Sequence, residues 1–203
     1  MANAFMDVLE KRRSQYSLGR NLPIPAVEAE ALIRKAVRLA PSSYNSQSSR
    51  VLVLFGKHSE RFWSITTECL REIVPSGSFA STEARMKAFA AGAGTVLFYE
   101  DQNAVQELQK KYPLYADNFP AFSEQSGGMA QFAVWSALAS VDIGASLQHY
   151  NPLIDDQVAA TWNIPSNWKL RAQMPFGSNE KMLSPKSFVD DGVRIRVLHA
   201  EAD

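Results

Sequence analysis

From Ser123 to Val141 the chain carries a single charged residue, Glu124, and is apolar around almost the whole circumference of the helix it predicts, through Met129, Phe132, Val134, Trp135, Leu138 and Val141. A helix with one apolar stripe lies on a surface, whereas a helix apolar on every side has to be covered on every side. In a chain of 203 residues that coverage is easier if a second copy supplies part of it. The segment therefore predicts a helix at the centre of the fold and a homodimer.

The rest of the chain alternates between helical and strand periodicity. Ala2–Arg12 reads as a short helix with Phe5, Val8 and Leu9 on one face, and Pro25–Leu39 as a second, with Pro25 in its first turn. Val51–Phe55 is an apolar run of strand length, and Ser59–Ile73 is helical until Pro75 and Gly77 interrupt it. Ser81 is placed to cap a helix ending near Gly92, and Thr95–Tyr99 has the β-branched, apolar character of a buried strand. Asp101–Lys111 is an amphipathic helix, and Tyr112–Pro120, aromatic and interrupted by two prolines, is a candidate lid. Pro152–Trp162 predicts a further helix, and Lys169–Met174 and Val193–Leu198 predict strands. With no repeat, low-complexity tract or long linker, residues 1–203 read as one α+β domain.

Charge narrows the partners. Twenty-one basic and 21 acidic residues cancel, so no global field favours nucleic acid or an anionic membrane. No apolar run reaches the length of a membrane span, and Met1–Glu10 lacks the pattern of a signal peptide. The lone cysteine, Cys69, fits a reducing compartment, and a cytoplasmic location is expected. His58, His149 and His199 make no metal-ligand spacing with Cys69, so no metal site is expected.

Two segments carry chemistry. Ala40–Gln47, Ala-Pro-Ser-Ser-Tyr-Asn-Ser-Gln, concentrates hydroxyls and carboxamides in one turn after an apolar helix, and Arg12-Arg13-Ser14 lies upstream of it. In order, spacing and residue type the pair resembles the flavin-binding signatures of the nitroreductase family. Gly-Thr-Val-Leu-Phe-Tyr-Glu-Asp at 94–101, Leu-Gln-His-Tyr-Asn-Pro at 147–152 and Gln-Met-Pro-Phe-Gly at 173–177 are similar to the subgroup of fatty-acid-repression-mutant type proteins. The resemblance implies a central, mostly antiparallel sheet flanked by helices, in an intertwined homodimer with FMN at the subunit interface. It also implies that the C-terminal segment, here Val193–Leu198, crosses to the partner's sheet.

The resemblance assigns the cofactor-binding residues in three groups. A phosphate dianion favours guanidinium, hydroxyl and ammonium partners, roles open to Arg12, Ser14 and Lys181, with Arg13 on the ribityl chain or pyrimidine ring and Tyr16 in the same segment. The polar edge of a flavin needs donors and acceptors without added charge, which Ser42, Ser43, Asn45 and Gln47 supply. Leu147, Gln148, His149 and Tyr150 stand where the family lays backbone amides along the flavin edge. Read by themselves, Arg12 and Arg13 are also ordinary cations at a helix C-terminus, 42–47 a helix-ending turn, and His149 a structural histidine as readily as a proton donor. After Gln47 the chain departs from the commoner family pattern, with Ser48 in place of proline and Arg50 in place of an apolar residue.

The activity implied is reduction of FMN by NADH or NADPH, then of a nitroaromatic or quinone-like acceptor entering the same cleft, with ping-pong kinetics and no side-chain nucleophile. The alternative is an FMN-binding, redox-responsive regulatory protein with slow turnover. Gly92-Ala93-Gly94 is no dinucleotide fingerprint, because Leu97 occupies the third glycine position and the stretch enters a strand instead of leaving one. No nucleophile elbow and no phosphate-binding loop are present.

Overall fold

The computed structural model describes residues 3–199, and its central strand is β3 (Gly94–Asp101), buried along its whole length. Successive side chains of a strand point to opposite faces, so a strand covered on both sides reads as a continuous apolar run. Val96 and Phe98 enter one core and Leu97 and Tyr99 the other. Antiparallel neighbours flank β3: β2 (Ser49–Phe55) at the sheet edge and β5 (Trp168–Asn179) on the other side. Toward its C-terminal end β5 also pairs with β1 (Leu18–Gly19) and β4 (Ile143–Ala145).

Helices cover both faces. The described helices are α1 (Ala4–Lys11), α2 (Ala26–Leu39), α3 (Lys57–Ile73), α4 (Phe79–Ala90), α5 (Gln102–Lys111), α6 (Phe119–Ser140), α7 (Asp155–Trp162) and the single turn α8 (Asp191–Arg194). Phe62 and Trp63 of α3, Met86 and Phe89 of α4 and Val158 of α7 pack on one side of the sheet. Ala29 and Ile33 of α2 and Val134 and Leu138 of α6 pack on the other. The α+β arrangement expected from the sequence, an antiparallel sheet between helical layers, is the one observed.

Several local expectations are corrected. Pro113 and Pro120 do not break a loop: each sits in the first turn of a helix, a short 3₁₀ segment at Pro113–Asn118 and then α6, where the missing N–H costs nothing. Ser81 is not a cap; α4 begins at Phe79 behind Ser78, and the Ser81 hydroxyl donates to the Ser78 carbonyl at 3.1 Å. Pro25 stands at the N-cap of α2, just outside the helix. Ala2, placed in the first helix by its sequence, lies outside the described residues. Residues 193 and 194 belong to the α8 turn, capped by Asp190, and 195–198 have no ladder partner among the described residues. A strand needs a neighbour to bond, and none of the described residues supplies one there.

The central helix is covered on one side only within the single chain. Its buried residues are mostly small, Ser123, Ser126, Gly127 and Ala130, followed by Val134 and Leu138. Met129 and Phe132 face outward, 38% and 43% exposed. They join Phe5, Leu32 and Leu39 around an apolar groove of about 510 Å³.

Candidate functional site

The segment that follows α1 is laid against the far end of β5. Ser14 bridges Ala145, and the Gln15 N–H donates to the Ala145 carbonyl at 2.9 Å. Gln15 itself is buried, and its Nε2 donates to the Lys181 carbonyl at 2.8 Å, fastening the N-terminal segment to the loop after β5. A cleft of about 520 Å³ opens here, lined by Lys11, Arg13, Gln15, Trp135, Gly144 and Lys181, among others. Lys11 is neutralised by Asp142 at 2.9 Å, and Arg13 donates to the Ser184 carbonyl at 3.1 Å. Gly144 is required by close approach, since a Cβ there would overlap the side chains of Asn179 and Gln15.

Arg12 takes a different position from Arg13. It caps α1, and its guanidinium lies over the Trp135 ring, 4.5 Å from the centroid. Partial burial and the neighbouring Arg13 lower its pKa from the ordinary value, although a guanidinium remains charged at any physiological pH. The planar edge is left for a bidentate anion while the face is held by the indole. Tyr16 is exposed, its ring 6.4 Å from that of Phe89.

The segment after α2 is a compact turn with unusual backbone. The Ser42 carbonyl accepts the Asn45 N–H at 3.0 Å, and the Ser42 hydroxyl accepts the Gln47 N–H at 2.9 Å. Tyr44, Asn45 and Gln47 have φ of 55°, 51° and 47°. The left-handed region costs a non-glycine residue about 1–2 kcal/mol, least for asparagine, so something must hold the turn in place. Part of that hold comes from α6, where the Ser126 hydroxyl accepts the Ser43 N–H at 3.1 Å. Another part is aromatic, since the Tyr44 ring lies 4.8 Å from Tyr112 and 5.3 Å from Phe119. The carboxamides of Asn45 and Gln47 are exposed and make no side-chain hydrogen bond among the described residues.

The 147–151 segment continues the sheet. Gln148 exchanges backbone hydrogen bonds with Gln173 at 2.7 and 2.9 Å, and the Ser146 N–H donates to the Pro175 carbonyl at 3.3 Å. Strand alternation then turns the amides of Leu147 and His149 away from β5. Gln173, fully buried, accepts the Tyr150 N–H at 2.8 Å and donates to Asn151 Oδ1 at 3.2 Å. His149 is exposed. Burial pushes the Tyr150 phenol up from its ordinary pKa, with Arg85 opposing, so it is a neutral donor at physiological pH.

Arg13 and Lys181 thus line one cleft, Arg12 packs on the Trp135 ring that also lines it, and Ser14 bridges Ala145, two residues before 147. Ser42 and Gln47 line a separate, smaller groove of about 170 Å³ with Val37 and Ala130. Among the described residues the two groups line different grooves. Gln15 and Trp135 went unnoticed in the sequence: one lies between two highlighted residues and the other inside an apolar helix, so neither carries a local signal. Among the described residues no group of three or more His, Cys, Asp or Glu is placed to hold a metal ion, and no helix is long and apolar enough to cross a membrane.

Residues 9–178 match the model of the nitroreductase family. A Saccharomyces cerevisiae relative, HBN1, is 30% identical over 193 residues, covering 94% of this chain and 96% of its own. The structure of nitroreductase CinD from Lactococcus lactis in complex with chloramphenicol is 44% identical, with a TM-score of 0.88 over 96% of this chain and 100% of that one. The same protein in complex with 4-nitrophenol superposes with a TM-score of 0.87. A nitroreductase with bound FMN from Desulfitobacterium hafniense, 17% identical, shares the fold with a TM-score of 0.73, covering 98% of this chain and 100% of its own.

Proposed function

The chain belongs to the nitroreductase family and is an oxidoreductase, and we propose that it uses FMN to pass hydride from NADH or NADPH to a nitroaromatic or quinone-like acceptor. The observation that carries this reading is the meeting of the two ends of the chain. Lys11, Arg13 and Lys181 line one cleft beside Gly144, with Asp142 and Glu180 also at its wall and Arg12 packed on its Trp135, and a phosphate-bearing ligand favours such cations. The donor set fits the remainder of FMN as well, because the free carboxamides of Asn45 and Gln47 and the outward amides of Leu147 and His149 offer uncharged partners for a flavin ring. Bound FMN would supply the hydride chemistry.

The protein's part is placement. Arg12, Arg13, Ser14 and Lys181 would anchor the phosphate, with Tyr16 beside them, and Ser42, Ser43, Asn45 and Gln47 would meet the ring edge. Leu147, Gln148 and His149 would lie along it through the backbone. Nicotinamide and acceptor would occupy the same cleft in turn, which is the basis for ping-pong kinetics. The CinD complexes with chloramphenicol and 4-nitrophenol support an aromatic nitro compound as acceptor.

The reading includes a homodimer of one-domain chains in the cytoplasm. Among the described residues the 42–47 turn and the cationic cleft line different grooves, and a second copy would let one chain's turn meet the other's cleft. The outward Phe5, Leu39, Met129 and Phe132 offer it an apolar face, and the exposed Val193, Ile195 and Val197 suit an arm that pairs with the partner's edge strand β2.

An anaerobic absorption spectrum of the purified protein, before and after NADH and then NADPH, tests the proposal. A flavin spectrum that bleaches with either donor is the expected result. A protein that takes up no FMN after reconstitution would overturn it.

A further inference from the structure

The proposed chemistry makes no use of Glu100, yet this carboxylate is among the most thoroughly enclosed polar groups of the protein, 1% exposed near the end of β3. Its Oε2 accepts the hydroxyls of Ser48 at 2.6 Å and Ser123 at 2.7 Å, and its Oε1 accepts that of Ser49 at 2.6 Å. A buried carboxylate is costly to desolvate and is tolerated when charge-assisted hydrogen bonds surround it; for stability alone an apolar side chain of similar size does as well. The arrangement therefore calls for a reason other than stability.

We infer that Glu100 is a positioning residue that holds the 42–49 loop in its ligand-facing shape. Ser48 and Ser49 directly follow the left-handed turn, so the carboxylate pins the exit of that turn to β3. Ser123 comes from α6, one turn before Ser126, whose hydroxyl accepts the Ser43 N–H and so pins the entry. Gly127 lets the helix come this close, since a Cβ there would stand 2.9 Å from Glu100 Oε1. Beside it, Arg50 donates to the Gln47 carbonyl at 2.6 Å while paired to Asp101 at 2.8 Å. Entry, exit and the Gln47 carbonyl are thereby fixed, and the carboxamides of Asn45 and Gln47 stay free. Glu100 sets their pose without touching what they bind.

The inference rests on the reading of 42–47 as a flavin segment, and the test separates the two. Wild type, Glu100→Gln and the double variant Ser48→Ala with Ser49→Ala are compared by FMN titration, by the visible spectrum of the bound flavin, and by amide hydrogen exchange with and without FMN. Glu100→Gln is expected to weaken FMN binding roughly tenfold, to shift the flavin spectrum, and to speed exchange across 43–49 while Gln148 and Tyr150 stay protected. The double variant is expected to do the same to a smaller extent. Unchanged affinity, spectrum and exchange in both variants would overturn the inference, and so would a loss of protection spread across β3 and β5. A wild type that binds no FMN would remove the flavin reading, whereas the exchange pattern of the flavin-free protein decides the role of Glu100 on its own.

Discussion

The two segments assigned to the flavin ring are held by opposite means. The 147–151 segment is an extension of the sheet: backbone pairing with Gln173 sets its register, and strand alternation decides which amides face outward. The 42–47 segment is a turn with three left-handed residues, kept in shape by serine hydroxyls, one buried carboxylate and one arginine. The first depends on backbone geometry and tolerates changes of side chain. The second depends on particular side chains at particular distances. Two parts of one proposed site thus differ in how sensitive they are to substitution.

The largest effect is expected where the comparison has an exception, at the Gln173 side chain. Its carboxamide alone satisfies the half-buried Tyr150 N–H among the described residues, so Gln173→Leu leaves that donor unpaired at a cost of about 1–3 kcal/mol. For a chain of this size that corresponds to a fall in Tm of roughly 2–12 °C. Exchange should quicken at Tyr150 and remain slow at Gln148, whose N–H is bonded to the Gln173 backbone. Loss of protection at Gln148 as well would mean that the segment is not carried by the sheet, and the contrast between the two regions would collapse.

Arg50→Gln addresses the other region at a smaller scale. The substitution removes the donor to the Gln47 carbonyl and the pair with Asp101, in which the Arg50 side chain is 33% exposed. Such partly exposed pairs contribute about 0.5–1 kcal/mol, so Tm should fall by only a few degrees. FMN affinity should drop less than in Glu100→Gln, because both ends of the loop stay pinned. An effect on affinity equal to that of Glu100→Gln would make the arginine brace, and not the carboxylate, the main restraint on the turn.

What the sequence disclosed follows the same division. Strand β3 is legible because burial on both faces leaves a continuous apolar run, and the 12–16 and 40–47 segments are legible because polar residues are concentrated in short stretches. Glu100 is not, since Ser48, Ser49 and Ser123 reach it from two other elements and no local pattern announces the cluster. One signal was available: a carboxylate at the end of a buried strand has to be satisfied by something. In helix α6 hydrophobicity is legible but not which side faces inward, because its small residues permit close packing and take the interior, leaving the larger Met129 and Phe132 outward. Residues 193–198 read as a strand from their alternation, but 193 and 194 close the α8 turn and 195–198 have no ladder partner among the described residues.

The smallest expected effect lies where the 147–151 segment passes into α7. Asp155 opens that helix, its N–H donating to the Pro152 carbonyl at 3.1 Å, and its Oδ1 is buried without a partner among the described residues. Burial first, and then the charge of Asp156, raise its pKa above the ordinary value of 3.8. A carboxyl raised in the folded state weakens folding once it ionises: above its folded pKa the charge sits where the fold disfavours it, and below 3.8 both states are protonated and the penalty vanishes. Asp155→Asn removes the charge at every pH. The variant should therefore melt slightly higher than the parent at pH 7, with the difference shrinking as pH falls through the raised value and gone below 3.8. A difference of constant size across that range would show that the gain came from packing or helix capping. A lower Tm at pH 7 would show that the favourable place of an acid in a first helical turn outweighs its burial.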